Sequence, residues 1–471
     1  MTAIKTDICV IGAGSGGLSV AAGAVQMGAR VVLIEGAEMG GDCLNHGCVP
    51  SKALLAAAKA AHAMTAGAAL GIAPAAPQVD FGAVKDHVAR TIAAIAPVDS
   101  QERFEGLGVT VIRDWARFVS PAEVQAGGHS ITARRFVIAT GSRPVVPPVP
   151  GLSDLPYLTN ETIFPLREKP SHLLILGGGP IGLEMAQAHR RLGCAVTVIE
   201  TGRALGREDP ELAAVAVQQL RAEGVTIIEG TSISAVVGGP GITATLSDGR
   251  TVAGSHILIA AGRKVATDGL GLDVAGVTHD ARGVTVDASL RSTNRRVYAV
   301  GDAAGGAQFT HLAGYHAGVV IRQMLFALPA RASMAHIPRA TYTDPELAQV
   351  GLTEAEARAR HGDRLTVLRW PFHDNDRAQA EGRTQGLIKV MVVKGRPVGA
   401  GIVGAQAGEL IGLWALALSA GLKMGSLAGM VAPYPTLGEV SKRAAGAYFS
   451  PQLFDNPMLK QVVRLVQRWL P

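Results

Sequence analysis

Twice in this chain an apolar run meets a glycine-rich loop, then a helix-forming stretch, then a second apolar run that ends in glutamate. The first copy reads Asp7-Ile8-Cys9-Val10-Ile11, Gly12-Ala13-Gly14-Ser15-Gly16-Gly17 and Arg30-Val31-Val32-Leu33-Ile34-Glu35. The second reads Leu173-Leu174-Ile175-Leu176, Gly177-Gly178-Gly179-Pro180-Ile181-Gly182 and Ala195-Val196-Thr197-Val198-Ile199-Glu200. A lone Gly-x-Gly-x-x-Gly says little. With strand, helix, second strand and terminal acid in agreement it is a dinucleotide fingerprint in the βαβ context that it needs. Gly12 and Gly177 make the tight turn, Gly14 and Gly179 let backbone amides approach a pyrophosphate, and Gly17 and Gly182 pack helix on strand. The helix N-termini receive the phosphates, and Glu35 and Glu200 accept the ribose hydroxyls. A carboxylate at Glu200 repels a ribose 2′-phosphate and favours NAD, while Arg203 and Arg207 follow closely enough to accommodate NADP.

A second feature lies between the two copies. Residues 40–52 read Gly-Gly-Asp-Cys-Leu-Asn-His-Gly-Cys-Val-Pro-Ser-Lys and lead into a run of strong helix formers. Cys43 and Cys48 are too far apart for the Cys-x-x-Cys of a zinc knuckle, and no second pair is near enough to complete a metal site. A thiol at a helix N-terminus is acidified by the unsatisfied amides. Two thiols in one glycine-flanked loop can close into a disulfide with little rearrangement. The spacing alone leaves two readings, a redox-active dithiol or two structural cysteines.

A chain of 471 residues is too long for one core and implies several domains. Its fold class is α/β, with two Rossmann-like dinucleotide domains and a C-terminal module without a phosphate loop. The stiff segment Arg143-Pro144-Val145-Val146-Pro147-Pro148 marks the first boundary. The expected domains are 1–147 with 270–336, 148–269, and 337–471. Residues 53–69 and 81–104 each read as one long helix. A net charge of +6 with no long basic run excludes nucleic acid as a partner. Four cysteines are too few for a secreted disulfide framework, and Cys9 and Cys194 read as packing. The opening residues enter a strand at once, and no apolar run reaches the length of a bilayer span. A soluble, cytoplasmic protein is expected.

With both fingerprints and the cysteine loop in hand, the chain resembles the flavin-dependent disulfide oxidoreductases typified by dihydrolipoamide dehydrogenase, glutathione reductase and mercuric reductase. Further marks are Ala139-Thr140-Gly141, the run from Thr293 to Asp302, and Pro435-Thr436-Leu437-Gly438-Glu439. The resemblance implies FAD in the first nucleotide unit, held by Gly12, Gly14, Gly17, Glu35, Thr140, Gly141, Gly301 and Asp302. It implies NAD(P)H in the second, held by Gly177, Gly179, Gly182, Glu200 and Gly262. It also implies a homodimer built by the C-terminal domain. Cys48 would be the thiolate against the flavin and Cys43 the thiol that exchanges with a small-molecule disulfide, dithiol or other electron acceptor. Lys52 and Glu184 would form an ion pair near the reactive edge of the flavin, and Asp302 would hold the ribityl chain.

The C-terminus departs from the dihydrolipoamide dehydrogenase pattern. Where that pattern has His-Pro-Thr and an orienting Glu, this chain has Tyr434-Pro435-Thr436 and retains Glu439. A histidine near 6.5 can take a proton from a dithiol at neutral pH; a tyrosine near 10 cannot. Tyrosine here resembles mercuric reductases, yet their C-terminal cysteine pair is missing. His46, His311 and His316 are the other candidate bases. An alternative enzyme is therefore a mercuric reductase-like reductase of thiol-avid metal ions. An alternative of another class is a flavin-binding redox sensor or membrane-recruited electron-transfer subunit. The latter draws on the tail: residues 458–470 have a broad apolar helical face, with Lys460, Arg464 and Arg468 spaced four apart on another. That helix either docks on its own domain or rests on anionic membrane at the inner face.

Overall fold

The computed structural model describes residues 1–470. It divides into two compact units, one of residues 1–65, 75–201 and 226–333, the other of residues 66–74, 202–225 and 334 onward.

The first unit contains both nucleotide folds. Strand Thr2–Ile11 is the centre of a seven-stranded sheet and pairs in parallel with Val31–Ile34 on one side and His129–Ile138 on the other. Val31–Ile34 is buried at every position, as expected of a strand covered on both faces. Thr110–Ile112 extends the parallel set, and Val297–Ala299 pairs in parallel with His129–Ile138. The second fold is a four-stranded parallel sheet in the order Thr226–Glu229, Ala195–Glu200, His172–Leu176, His256–Ile259. An antiparallel ribbon of Ile233–Gly238, Ile242–Leu246 and Thr251–Gly254 accompanies it. Both sheets place their glycine loops at the carboxyl ends of parallel strands, where such sheets bind ligands. Cys9 and Cys194 are fully buried.

Two helices differ from the sequence reading. The one expected over 53–69 runs instead from Cys48 to Ala63, so Cys48 itself is its first residue. The one expected over 81–104 breaks into Phe81–Ile95, a 3-10 turn over Ala96–Asp99 and Gln101–Gly106. Pro97 lacks an amide proton, and the Ser100 hydroxyl accepts the Arg103 amide at 3.2 Å and caps a new start.

The second unit is an α/β module of another kind. Its antiparallel sheet runs Arg339–Thr341, Glu346–Gly351, Arg396–Gly404, Leu387–Val393, Leu365–Pro371. Helix Ala407–Ser419 presents Trp414 to this core, where the fully buried indole donates to Ser441 Oγ at 3.1 Å. Helix Pro210–Ala222 also belongs to this unit. The buried Lys389 Nζ reaches both Asp209 oxygens at 2.9 Å, and Glu211 and Glu354 at 2.7 Å. Helix Pro457–Trp469 ends the described chain with no buried residue.

Candidate active site

The two glycine loops are built alike. Gly12 has φ +102° and Gly177 has φ +114°, a region that favours glycine, and a Cβ on either would lie 2.4 Å from a carbonyl, that of Ala139 or Ala260. A Cβ on Gly17 would stand 1.8 Å from Gly12 O, and one on Gly182 2.0 Å from Gly177 O. The middle glycines differ. A Cβ on Gly14 would have nothing nearer than 3.9 Å, and one on Gly179 nothing within 4 Å. The outer glycines are required by the fold; the middle ones leave open space at the helix start.

Helices Ser15–Gln26 and Pro180–Arg191 have glycine N-caps without side-chain hydrogen bonds. The amides of their first turns, in the second helix those that follow Pro180, are thus available to an anion. The strand-end acids close the loops from below: Glu35 Oε2 accepts the Ala13 amide at 2.5 Å, and Glu200 Oε2 the Gly178 amide at 2.7 Å. Thr140 Oγ1 is buried with no hydrogen-bond partner among the described residues. Open space at Gly14, bare amides and an orphaned hydroxyl fit a bound FAD at the first loop.

The cysteine loop is fastened to that glycine loop. The Gly40 amide donates to Ala13 O at 3.0 Å, and a Cβ on Gly41 would come within 2.8 Å of Gly14 Cα. Cys43 lies in the short helix Gly41–Asn45, Cys48 at the start of Cys48–Ala63, and both are free thiols. Hydrogen bonding from Cys43 draws the Cys48 thiol down to about 6. Thr310 Oγ1, 3.2 Å from Cys48 Sγ, and the charge of Lys52 act the same way, while burial and Asp42 oppose them. Cys43 is pushed far above the ordinary thiol range, first by its hydrogen bond to Cys48 and then by burial. The pair is therefore one thiolate and one thiol at neutral pH.

Lys52 Nζ, one turn into the cysteine helix, lies 2.8 Å from Glu184 Oε2, whose side chain is 6% exposed. Asp302 sits in the turn Gly301–Ala304 after strand Val297–Ala299. Its Oδ2 accepts from Ser142 Oγ at 2.5 Å, and burial raises its carboxyl against that hydrogen bond and the charge of Arg263. Gly141 and Gly262 have φ +67° and +130° and open space around the absent Cβ.

The candidate bases fare differently. His316 is buried and its Nδ1 accepts the Gly301 amide at 3.2 Å; burial lowers its pKa, so it supports the Asp302 turn as a neutral ring. His46 Nε2 lies 3.7 Å from Glu38, and the His311 ring stacks on Phe309 with centroids 5.2 Å apart. Tyr434 and Glu439 belong to the second unit. Tyr434 is 69% exposed and its hydroxyl donates to Asp376 Oδ2 at 2.8 Å. That bond, with the charges of Asp376 and Glu439, raises the phenol above its usual value.

Sequence reasoning missed the residues that brace the loop. Asn160 Nδ2 donates to Asp42 Oδ1 at 2.9 Å and to His46 O at 3.1 Å. Arg263 pairs with Asp42 at 3.2 Å and donates to Ser142 Oγ and O at 2.8 and 2.7 Å. A polar chain thus runs Asn160–Asp42–Arg263–Ser142–Asp302. Asn160, Ser142 and Thr310 stand in no motif, and only tertiary proximity reveals them. Among the described residues no cluster of three His, Cys, Asp or Glu side chains could hold a metal ion.

Comparison with known proteins gives two family matches. The family described as pyridine nucleotide-disulphide oxidoreductase matches residues 6–317, and its dimerisation domain matches residues 337–445. A mercuric reductase of Streptomyces lividans is 37% identical, covering 94% of this chain and 96% of its own. A dihydrolipoyl dehydrogenase of Thermus scotoductus is 36% identical, covering 94% and 97%. Among solved structures, the HOCl-induced flavoprotein disulfide reductase RclA of Escherichia coli superposes with a TM-score of 0.84 at 27% identity, covering 93% and 99%.

Proposed function

The chain belongs to the pyridine nucleotide-disulphide oxidoreductase family, and on that premise we propose the roles of its residues and its acceptor. It is an FAD-dependent NAD(P)H:disulfide oxidoreductase, and its dimerisation domain makes it a homodimer. FAD, when bound, accepts two electrons as hydride from the nicotinamide and passes them to a disulfide. Gly12, Gly14, Gly17, Glu35, Thr140, Gly141, Gly301 and Asp302 hold it; Gly177, Gly179, Gly182, Glu200 and Gly262 hold the nicotinamide nucleotide. NADH is the preferred donor, because Glu200 sets a negative charge where a 2′-phosphate would lie.

The observation that carries the site assignment is the setting of Cys48, the first residue of helix Cys48–Ala63 with its Sγ 3.2 Å from Thr310 Oγ1. Cys48, drawn down to about 6, is the thiolate set against the flavin, and Cys43, held protonated, is the thiol that meets the acceptor. Opening the Cys43–Cys48 disulfide takes two electrons and one proton; the proton stays on Cys43. Attack of Cys43 on an acceptor disulfide then needs that proton removed, and closure by Cys48 releases the second acceptor thiol. Lys52, paired with Glu184, keeps a positive charge beside the thiolate. Tyr434, bound to Asp376 and raised, stays protonated at neutral pH and does not serve as base there. The thiol exchange at Cys43 therefore proceeds without a neutral-pH base in either direction, whereas reduction by NADH, which needs no thiol deprotonated, is unaffected.

A second acceptor is favoured by Tyr434 together with the similarity to mercuric reductase, namely a thiol-avid metal ion. Such an ion displaces the Cys43 proton itself and needs no base. Anaerobic titration with NADH and separately with dihydrolipoamide, following the flavin spectrum, tests the assignment. Reduction by NADH with poor reduction by dihydrolipoamide near pH 7 supports it; equal response to both overturns the role given to Tyr434.

No helix among the described residues is long and apolar enough to cross a membrane. We infer peripheral contact with the inner membrane face through Pro457–Trp469, which lies beyond the matched dimerisation domain. Val462, Val463, Val466, Trp469 and Leu470 are exposed, the helix holds no acid, and Lys460, Arg464 and Arg468 share its polar face. If the chain ended at Pro457 pellets with anionic vesicles as well as the whole protein does, the contact is elsewhere.

A further inference from the structure

Five arginines, Arg134, Arg135, Arg291, Arg295 and Arg296, line one cavity of about 530 Å³ in the first unit. No carboxylate and no apolar side chain is among its lining residues. Two come from the strand His129–Ile138, two from the turn before Val297–Ala299, and Arg291 from the segment just upstream. The strand pairing of Val297 with Phe136 brings the two Arg-Arg steps together.

Several details separate this from a solvated charge run. Arg291 is fixed: its Nε and Nη2 donate to Tyr298 Oη at 3.1 and 2.7 Å, and Tyr298 is fully buried. Arg135 Nη1 donates to Arg134 O at 2.9 Å, while its Nε is buried with no hydrogen-bond partner among the described residues. A buried, unpaired guanidinium donor is a cost that a bound acceptor removes. Asp7, which feels the charge of Arg134, is already held by Arg30 at 3.2 Å. Asp287 is turned onto the Ser289 and Arg291 amides at 2.8 and 3.1 Å.

We propose that this cavity is a binding site for a compact polyanion bearing two or more phosphates, separate from the dinucleotide loops. Guanidinium is the side chain suited to phosphate, because its planar fork makes paired hydrogen bonds and its charge persists at any physiological pH. A site of this volume accommodates a small ligand. The arginine side chains that line it carry donors and no acceptor, so the recognised part is the phosphate group itself. A free oligophosphate and a multiply charged phospholipid headgroup share that chemistry.

The test is calorimetric titration of the FAD-loaded homodimer with sodium tripolyphosphate at constant ionic strength, with sulfate as the control for a single anion. Saturable binding of one tripolyphosphate per protomer is expected, weakened about tenfold or more in Arg295→Gln/Arg296→Gln. These two side chains are exposed, and NADH-dependent turnover without tripolyphosphate should be unchanged in the variant, which checks its folding. Arg295→Gln alone serves as a milder second variant. No saturable binding, equal affinity in the variants, or loss of binding when NAD⁺ saturates the enzyme would each overturn the proposal. Arginine-dependent binding of the chain ended at Pro457 to cardiolipin vesicles, with weaker binding of tripolyphosphate, identifies the headgroup as the source and supports the site.

Discussion

At the residue scale the chemistry depends on one hydrogen bond and one substitution. Thr310 stands 3.2 Å from Cys48 Sγ and helps hold the thiolate. Thr310→Val should raise the Cys48 pKa by about one unit, since a hydrogen bond to a charged group contributes roughly 1.5 kcal/mol or less at a half-open site. The rate of alkylation against pH reads this directly: its midpoint near 6 should move upward, and an unmoved midpoint removes Thr310 from the account. Tyr434→His supplies a base that titrates near neutrality. Oxidation of dihydrolipoamide should rise on the order of 10²-fold at pH 7.5, with a new limb in the pH profile near 6.5. In the unaltered enzyme the same reaction should climb steadily with pH, because without a base the substrate thiol must already be ionised to attack the Cys43–Cys48 disulfide.

At the scale of elements, the glycine loops separate folding from binding. A methyl at Gly17 would stand 1.8 Å from Gly12 O, so Gly17→Ala should prevent the first βα turn from closing and yield little folded protein. A methyl at Gly14 meets nothing nearer than 3.9 Å but fills the space before the helix amides. Gly14→Ala should therefore keep native circular dichroism while losing most of its flavin, read as the ratio of absorbance at 450 to that at 280 nm. Retained flavin would mean that the open space is not the cradle. These motifs were legible in the sequence because their chemistry is local: turn, amide and acid lie within about thirty residues of one another. The cysteine helix was legible in kind but not in its start, since one short helix ends at Asn45 and the next, with Gly47 as its N-cap, begins at Cys48. Pro97 and Ser100 were visible as breakers, yet the run from 81 to 104 reads as continuous when periodicity alone is followed.

At the scale of the molecule, the second unit holds together around a buried ammonium. Lys389 balances Asp209, Glu211 and Glu354. Lys389→Met would leave three carboxylates facing one another and should cost about 3–5 kcal/mol, seen as an early transition in urea. The same cluster sets an acid limit. Burial works to raise Glu354, but hydrogen bonds from Lys389 and Arg358 and the charge of Arg369 win and hold it at about 2. A carboxyl depressed in the folded state contributes fully above its ordinary 4.5 and loses that contribution as pH falls toward 2. Urea midpoints should decline across that window in the native chain and more weakly in Glu354→Gln.

The sequence alone determined the α/β class, the two dinucleotide loops, the dithiol loop and the C-terminal tyrosine, because each is a short pattern whose physics is complete within itself. Tertiary structure decided what surrounds them. It brought Asn160, Arg263 and Ser142 into one polar chain with Asp42 and Asp302, and it set Thr310 against Cys48 across 262 residues. It also gathered five scattered arginines around one cavity. Hydrogen bonds and charges act over a few ångströms of space, and no spacing along the chain records which distant side chains folding will bring that close.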